Sequence, residues 1–174
     1  MNKLHVYFGG GKGKTTAAMG LALRMLGHRQ TVLIAQFMKN GESGELFALR
    51  FFREARVLPA PPMGKFTFQM TEEEFSKASL EQTNYIFSLL EEIDTFKPSL
   101  IVLDELAAAL TVGLIPRNNA EKLINLALSY GETAVTGYDC PDWLKARADY
   151  LTLLTSLRHP FETEGLEARK GIEW

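Results

Sequence analysis

The residues with the clearest chemical potential form a glycine-rich segment near the start of the chain. The segment reads Gly9-Gly10-Gly11-Lys12-Gly13-Lys14-Thr15-Thr16. Because glycine has no Cβ, successive backbone N–H groups in such a segment can turn toward an anion. Lys14 supplies a positive charge for phosphate oxygens, Lys12 adds a second, and the Thr15 hydroxyl is suited to hold Mg²⁺. The whole segment is therefore expected to bind a nucleoside triphosphate, since a flexible glycine turn would leave the lysines and threonines unexplained.

The spacing departs at one position from the usual phosphate-binding pattern, G-x-x-x-x-G-K-[ST]. Counting back from Gly13, the first glycine of that pattern falls on Phe8. A bulky residue there changes how the loop enters its turn. We therefore expect the phosphates to sit in an altered register or direction.

Two carboxylates follow an apolar run at residues 100–103. They are Asp104 and Glu105, and they are expected at the carboxyl end of a buried strand, where open α/β sheets bind their ligands. Together with Thr15 they form a predicted Mg²⁺ (or Mn²⁺) site. Glu105 is also expected to act in catalysis. An alternative, compatible with metal binding, is that Asp104 caps the helix that the sequence predicts over 106–110.

Strand-length apolar runs alternate with stretches of helical periodicity along the chain, which is typical of βαβ units. The sequence predicts one α/β domain over residues 1–174, with a P-loop NTPase-like, RecA-like sheet that is mostly parallel and flanked by helices. Strands are expected at 4–8, 31–36, 56–58, 100–103, 133–136 and 150–154. Helices are expected at 15–26, 45–52, 71–97, 106–110, 116–129 and 141–148. Residues 59–70 are predicted to form a loop, and residues 158–174 show no usable periodicity.

Composition excludes several classes of protein. A formal net charge of −2 does not provide the overall positive charge that is typical of proteins binding nucleic acid or an anionic membrane. The single cysteine, Cys140, excludes an internal disulfide and a thiolate metal cluster. No apolar run reaches the length of a membrane span, and the first residues lack the apolar stretch of a secretory signal. We therefore expect a cytoplasmic protein that binds small molecules and neither nucleic acid nor membrane.

Several short motifs, in one order over nearly the whole chain, resemble the P-loop ATP:corrinoid adenosyltransferases. They are GKGKTTAA at 11–18, QFMK at 36–39 with GE at 44–45, VLDEL…AL…GLI at 102–115, AVTG at 134–137 with Pro141, ADYLT at 148–152, and RHP…ARKGIEW at 158–174. The loop of that family also lacks the first glycine, as this chain does at Phe8. The resemblance covers more of the chain than a phosphate loop alone.

The resemblance implies that the 5′-deoxyadenosyl group of ATP is transferred to the Co(I) centre of a corrinoid. Cobalt attacks the ribose C5′ and triphosphate leaves, so Lys12, Lys14 and Mg²⁺ would stabilise the charge that develops on the α-phosphate oxygen. It also implies a homodimer, an electron-donating reductase such as a flavodoxin or flavin, and aromatic residues under the corrin ring. Those aromatic positions match Phe66 and Phe68, although the family usually has tryptophan where Phe68 stands. The residues alone favour a different interpretation, two alternating core positions of a short strand.

Two other functions stay open from the sequence. A different P-loop NTPase or nucleoside kinase would release ADP, whereas a corrinoid or nucleotide sensor would bind without turnover. The sensor alternative stays open because the chain departs from the family pattern at three points. These are Phe68, Tyr138 (where the family often has arginine) and a first strand that starts early, where the family often has an N-terminal extension. His159 matches the tail motif and is expected either near the corrinoid or in a capping or packing role.

Overall fold

The computed structural model describes residues 1–39 and 43–173. Within them the chain forms a six-stranded, entirely parallel sheet in the order β3-β2-β4-β5-β1-β6. Its strands are β1 Leu4–Phe8, β2 Val32–Gln36, β3 Ala55–Val57, β4 Leu100–Asp104, β5 Glu132–Gly137 and β6 Tyr150–Leu153. The predicted α/β class is confirmed, and the arrangement is consistent with a P-loop NTPase-like fold. Trp174, the last residue of the tail motif, lies outside the described residues.

Seven helices within the described residues connect and cover the strands. They are α1 Lys14–Gly27, α2 Gly44–Leu49, α3 Glu72–Phe96, α4 Leu106–Thr111, α5 Arg117–Tyr130, α6 Asp142–Arg147 and α7 Pro160–Glu164. The first six match predicted helices, with boundaries that differ by up to three residues. None of the helices in the described ranges is both long and apolar enough to cross a membrane.

The core is divided between the two faces of the sheet. Side chains alternate along β4, so Ile101 and Leu103 pack with α3, α4 and α5, while Leu100 and Val102 pack with α1 and α2. All of β4 is buried because helices cover both faces. The central strand is thereby fixed, and its carboxyl end is held at one edge of the sheet.

Helix α1 is rotated slightly from the face that the sequence predicts. Helical periodicity predicts that Ala18, Leu21, Ala22 and Met25 face inward. Of these, Ala18 and Ala22 are fully buried, while Leu21 and Met25 are half-buried. The small alanines let the helix lie close against the sheet. Met19 and Leu26 complete the buried stripe, so the face that packs on the sheet is turned toward these two residues and away from Leu21 and Met25.

Thr71 and Glu74, three residues apart, predict a capping box at the start of α3, and the structure confirms it. The Thr71 hydroxyl accepts from the Glu74 backbone N–H at 3.2 Å, and the Glu74 carboxylate accepts from the Thr71 N–H at 2.9 Å. These bonds satisfy backbone donors that the first helical turn leaves free. At the other end, Lys97 adopts a left-handed conformation directly before Pro98. The helix therefore starts and stops where the sequence predicts.

Two segments, the tail at 158–174 and the loop at 59–70, contain short helical turns that the sequence does not predict. The tail contains α7, whose amino end is capped by His159 Nδ1 accepting from the Phe161 N–H at 3.2 Å. The short helix has no apolar periodicity to reveal it, although Pro160 at its first position is a helix-start residue. In the 59–70 loop, Thr67–Gln69 forms a 3₁₀ turn. The interpretation of Phe66 and Phe68 as alternating strand residues is therefore wrong.

Replacing Thr71 with alanine is expected to lower the free energy of unfolding by about 1 kcal/mol, because the helix loses its side-chain cap. Urea denaturation of Thr71→Ala and the unmodified chain measures the difference. Ser88→Ala, on the exposed side of the same helix, is the matched control and should change stability much less. An equal decrease in the free energy of unfolding for the two variants would contradict the capping role of Thr71.

Candidate nucleotide and metal site

The glycine-rich loop lies directly against the ends of two strands. The Gly9 N–H donates to the Tyr138 carbonyl at 3.1 Å, and the Gly11 N–H donates to the Leu154 carbonyl at 2.8 Å. A Cβ on Gly9 would come within 2.4 Å of the Leu154 oxygen, and Gly9 also has a φ of 112° that disfavours any other residue. These glycines are thus needed for contact between the loop and the sheet, before any ligand is considered.

The loop ends by presenting the first turn of α1. Gly13 is the N-cap, with φ 109° and no side-chain cap bond. Lys14, Thr15 and Thr16 form the first turn, whose backbone N–H groups have no acceptor inside the helix. These donors and the helix dipole make an anion-binding position. The turn therefore offers the backbone donors that phosphate binding requires, and the register in which phosphates bind stays a prediction.

Lys14 folds back over the loop. Its ammonium donates to the Gly11 carbonyl at 2.8 Å, and its side chain is partly buried. Burial lowers the pKa of Lys14, and the neighbouring carboxylates of Glu105 and Asp104 oppose that shift. The ammonium is thus held beside the first turn of α1, within reach of an anion that binds there.

Lys12 points away from the centre of the loop. It is exposed and forms an ion pair at 2.8 Å with Glu173 of the tail. Hydrogen bonds from Arg169 and Lys12 lower the pKa of Glu173 to about 2. The two lysines that the sequence assigns to the same phosphate site therefore differ, because only Lys14 lies over the loop.

Asp104 is the centre of a buried polar cluster. Its Oδ1 accepts from the Thr15 hydroxyl at 2.8 Å and from the Thr136 hydroxyl at 2.6 Å. Its Oδ2 accepts from the Gln36 amide at 3.0 Å and from the Lys39 ammonium at 2.6 Å. The carboxylate is fully buried, so these four donors replace the water that it loses. The predicted meeting of Asp104 and Thr15 is thus present as a direct contact.

The alternative role of Asp104 as a helix cap is wrong. Glu105, with φ 63°, is the N-cap of α4, and that helix has no side-chain cap bond. The Asp104 carboxylate lies at the carboxyl edge of the sheet. There it accepts hydrogen bonds from the Thr15 and Thr136 hydroxyls instead of from the N–H groups of α4. The cap prediction fails because β4 continues through Asp104 and the chain turns one residue later.

Glu105 is held in a left-handed conformation that is costly for a residue other than glycine. Its N–H donates to the Thr136 hydroxyl at 2.9 Å, which fixes the turn. Burial and the neighbouring Asp104 raise the pKa of Glu105, whereas Lys39 and Lys14 oppose that shift. The two acidic residues therefore have different environments, Asp104 saturated with donors and Glu105 partly accessible.

The Thr15 and Asp104 oxygens fit a hard divalent cation. They lie 2.8 Å apart, and Mg²⁺ commonly uses one or two protein oxygens together with substrate phosphates and water. Residues 1–39 and 43–173 hold no group of three or more His, Cys, Asp or Glu side chains suited to a metal. A metal here would accordingly depend on phosphate oxygens for the rest of its coordination.

Three members of the cluster were not assigned from the sequence as site residues. Gln36 ends β2 and Thr136 lies near the end of β5, so both could have been found by looking for polar residues at the carboxyl ends of strands beside β4. Lys39 follows Met38, whose φ is 57°. The Lys39 ammonium reaches Asp104, and the sequence signal that could have pointed to it is its place in the QFMK motif at 36–39.

Phe66 and Phe68 form an exposed aromatic pair. Their rings stack with centroids 5.5 Å apart and an interplanar angle of 10°, while the side chains are 70% and 82% exposed. They lie in the loop that follows β3, separated from β1 by β2, β4 and β5 in the sheet. At the usual strand spacing β3 and β1 lie about 19 Å apart. The aromatic contact that the structure shows for the two rings is with each other.

Tyr138 lies beside the loop instead. Its side chain is 70% exposed, and a Cβ on Gly10 would lie 3.5 Å from its ring. The residue that replaces the family's frequent arginine therefore contacts the nucleotide loop through its ring and its backbone carbonyl. His159, the other open assignment, serves as the cap of α7.

Comparison with known proteins identifies the family of the chain. The family model described as ATP:corrinoid adenosyltransferase BtuR/CobO/CobP matches residues 1–174. The corrinoid adenosyltransferase of Pseudomonas aeruginosa is 31% identical, covering 98% of this chain and 83% of that protein. Corrinoid adenosyltransferase CobA of Salmonella typhimurium is 28% identical, covering 97% of this chain and 84% of that protein. The corrinoid adenosyltransferase of Escherichia coli K12 is 27% identical with the same coverage.

The match extends from the phosphate loop to the tail, so it includes every element that builds the site. The chain belongs to the ATP:corrinoid adenosyltransferase family.

Proposed function

We propose that the chain transfers the 5′-deoxyadenosyl group of ATP to the Co(I) centre of a corrinoid and releases triphosphate. Family membership over residues 1–174 carries this proposal. The anion-binding first turn of α1 beside a buried carboxylate agrees with it. A nucleoside kinase would use the same loop, but the relatives from Pseudomonas aeruginosa and Salmonella typhimurium are corrinoid adenosyltransferases by name.

The chemistry requires positive charge where the triphosphate leaves. As the bond between C5′ and oxygen breaks, negative charge grows on the α-phosphate oxygen, and fixed donors that meet this charge lower the barrier. The N–H groups of Lys14, Thr15 and Thr16 supply such donors. Lys14 would exchange the Gly11 carbonyl for a phosphate oxygen, and Lys12 would exchange Glu173 in the same way.

Mg²⁺ (or Mn²⁺) would be held by Thr15 and Asp104, with Glu105 as the neighbouring second carboxylate. When bound, the cation would supply electrostatic stabilisation of the leaving triphosphate. Glu105 would also help to hold the charge of Lys14, because the two groups interact. Glycines 9, 10, 11 and 13 complete the nucleotide site by allowing the backbone of the loop to approach the phosphates.

The corrinoid would lie against Phe66 and Phe68. Two stacked, exposed aromatic rings offer an apolar surface for the lower face of the ring system, where they would displace the axial ligand that disfavours Co(I). The corrin ring would then extend from the aromatic pair toward the nucleotide, since its cobalt must reach the ribose C5′. A flavodoxin or a reduced flavin would deliver the electron that reduces the cobalt to Co(I). We also infer that the protein is cytoplasmic and forms a homodimer.

Lys14→Ala is expected to reduce adenosylcorrinoid formation at least about 100-fold, because the charge nearest the leaving triphosphate is lost. An anaerobic assay with ATP, Mg²⁺ and chemically reduced cobalamin, followed by the corrinoid spectrum, measures the rate. Lys77→Ala, on an exposed turn of α3, is the matched control and should keep full activity. A Lys14 variant that retains most of its turnover would exclude the loop as the triphosphate site.

The double substitution Phe66→Ala and Phe68→Ala is expected to raise the KM for cobalamin about tenfold, since two aromatic contacts are lost. The KM for ATP should not change. Phe51→Ala is the control, because Phe51 is exposed before β3, at the opposite edge of the sheet. An unchanged KM for cobalamin, or an equal effect of the control, would exclude the aromatic pair as the corrinoid contact.

A further inference from the structure

The Asp104 carboxylate has no free position for a metal ion. Each of its oxygens accepts two hydrogen bonds from protein donors. Direct coordination of a cation therefore requires that one donor leaves. The conditions under which a metal can bind therefore depend on which of the four donors leaves.

Three of the four donors are fixed by secondary structure. Gln36 ends β2 and pairs in register with Asp104, Thr136 belongs to β5, and Thr15 belongs to the first turn of α1. Lys39 differs because it follows β2 in a loop and reaches Asp104 through a long flexible side chain. It is also the only one of the four that carries a charge. Lys39 is thus the donor that can move at the lowest cost.

The Lys39 ammonium lies where a metal shared by Thr15 and Asp104 would lie. It is 2.6 Å from Asp104 Oδ2 and 3.3 Å from the Thr15 hydroxyl. In the absence of another cation, this contact neutralises a fully buried carboxylate, whose charge would otherwise be very costly. A divalent ion entering beside the ammonium would be repelled, since two positive charges would share one carboxylate.

We propose that Lys39 is an internal competitor of the divalent cation and makes metal binding depend on the nucleotide. Without nucleotide, the ammonium occupies the metal position on Asp104. When a triphosphate binds at the first turn of α1, its oxygens offer Lys39 a second set of acceptors, and the ammonium moves from the carboxylate to the phosphates. The position on Asp104 and Thr15 then opens to the metal. This inference rests on the proposed metal site at Thr15 and Asp104.

The test measures Mn²⁺ binding to the full chain by electron paramagnetic resonance, with and without ATP and with no corrinoid present. The unmodified chain is expected to bind Mn²⁺ weakly alone and much more tightly with ATP. Lys39→Met is expected to bind Mn²⁺ without ATP at least about tenfold more tightly than the unmodified chain, because the positive charge that occupies the metal position is removed. Its affinity for ATP in the absence of metal is expected to fall.

A second variant and a second readout keep the inference testable if Lys39→Met does not fold. Lys39→Gln retains a hydrogen-bond donor without the charge and should show the same gain in Mn²⁺ affinity. In either variant Mn²⁺ alone should raise Tm by more than it does in the unmodified chain, since the cation replaces the lost partner of Asp104. Lys77→Ala serves as the control and should bind Mn²⁺ as the unmodified chain does.

The outcomes separate this inference from the proposed function. Folded Lys39 variants with unchanged or weaker Mn²⁺ affinity would overturn the competitor role while leaving the metal site intact. A failure of the unmodified chain to bind Mn²⁺ even with ATP would instead overturn the metal site itself.

Discussion

The structure depends on how the buried charge of Asp104 is satisfied. A carboxylate removed from water is stable only when every lone pair finds a donor, and loss of one partner of such a group typically costs about 3–5 kcal/mol. Its donors come from β2, from β5, from α1 and from the loop after β2. One side chain therefore ties four parts of the chain together at the carboxyl edge of the sheet.

The same constraint determines the geometry of the phosphate loop. Thr15 reaches Asp104 only if α1 begins close to the end of β4, although β5 lies between β4 and β1. Backbone bonds from Gly9 and Gly11 to the ends of β5 and β6 hold the loop in that place, and a side chain on either glycine would clash with β6 or the residues just after it. The anion site and the metal site are thus built by one packing arrangement. Changes at one are expected to affect the other.

Much of this arrangement was predictable because it follows from local patterns. The aliphatic run before Asp104 predicts a buried strand, the glycine-rich segment predicts a strand–loop–helix turn, and Thr71 with Glu74 predicts the start of α3. The contacts between distant elements were less predictable. Lys39 reaches Asp104 from the loop after β2, directly after the left-handed Met38. The pairing of Lys12 with Glu173 depends on a tail with no periodicity. The role of Asp104 as a cap was a wrong prediction for a similar reason, since tertiary donors outcompeted the local helix end.

The most direct test of the account is the position of bond cleavage in ATP. ATP labelled with ¹⁸O at the oxygen that bridges C5′ and the α-phosphorus would be incubated anaerobically with reduced cobalamin and the products analysed by mass spectrometry. Transfer of the adenosyl group predicts that all of the label leaves in triphosphate, in an amount equal to that of adenosylated corrinoid. Label that remains with the nucleoside, or release of ADP, would show cleavage of a phosphorus–oxygen bond and contradict the account.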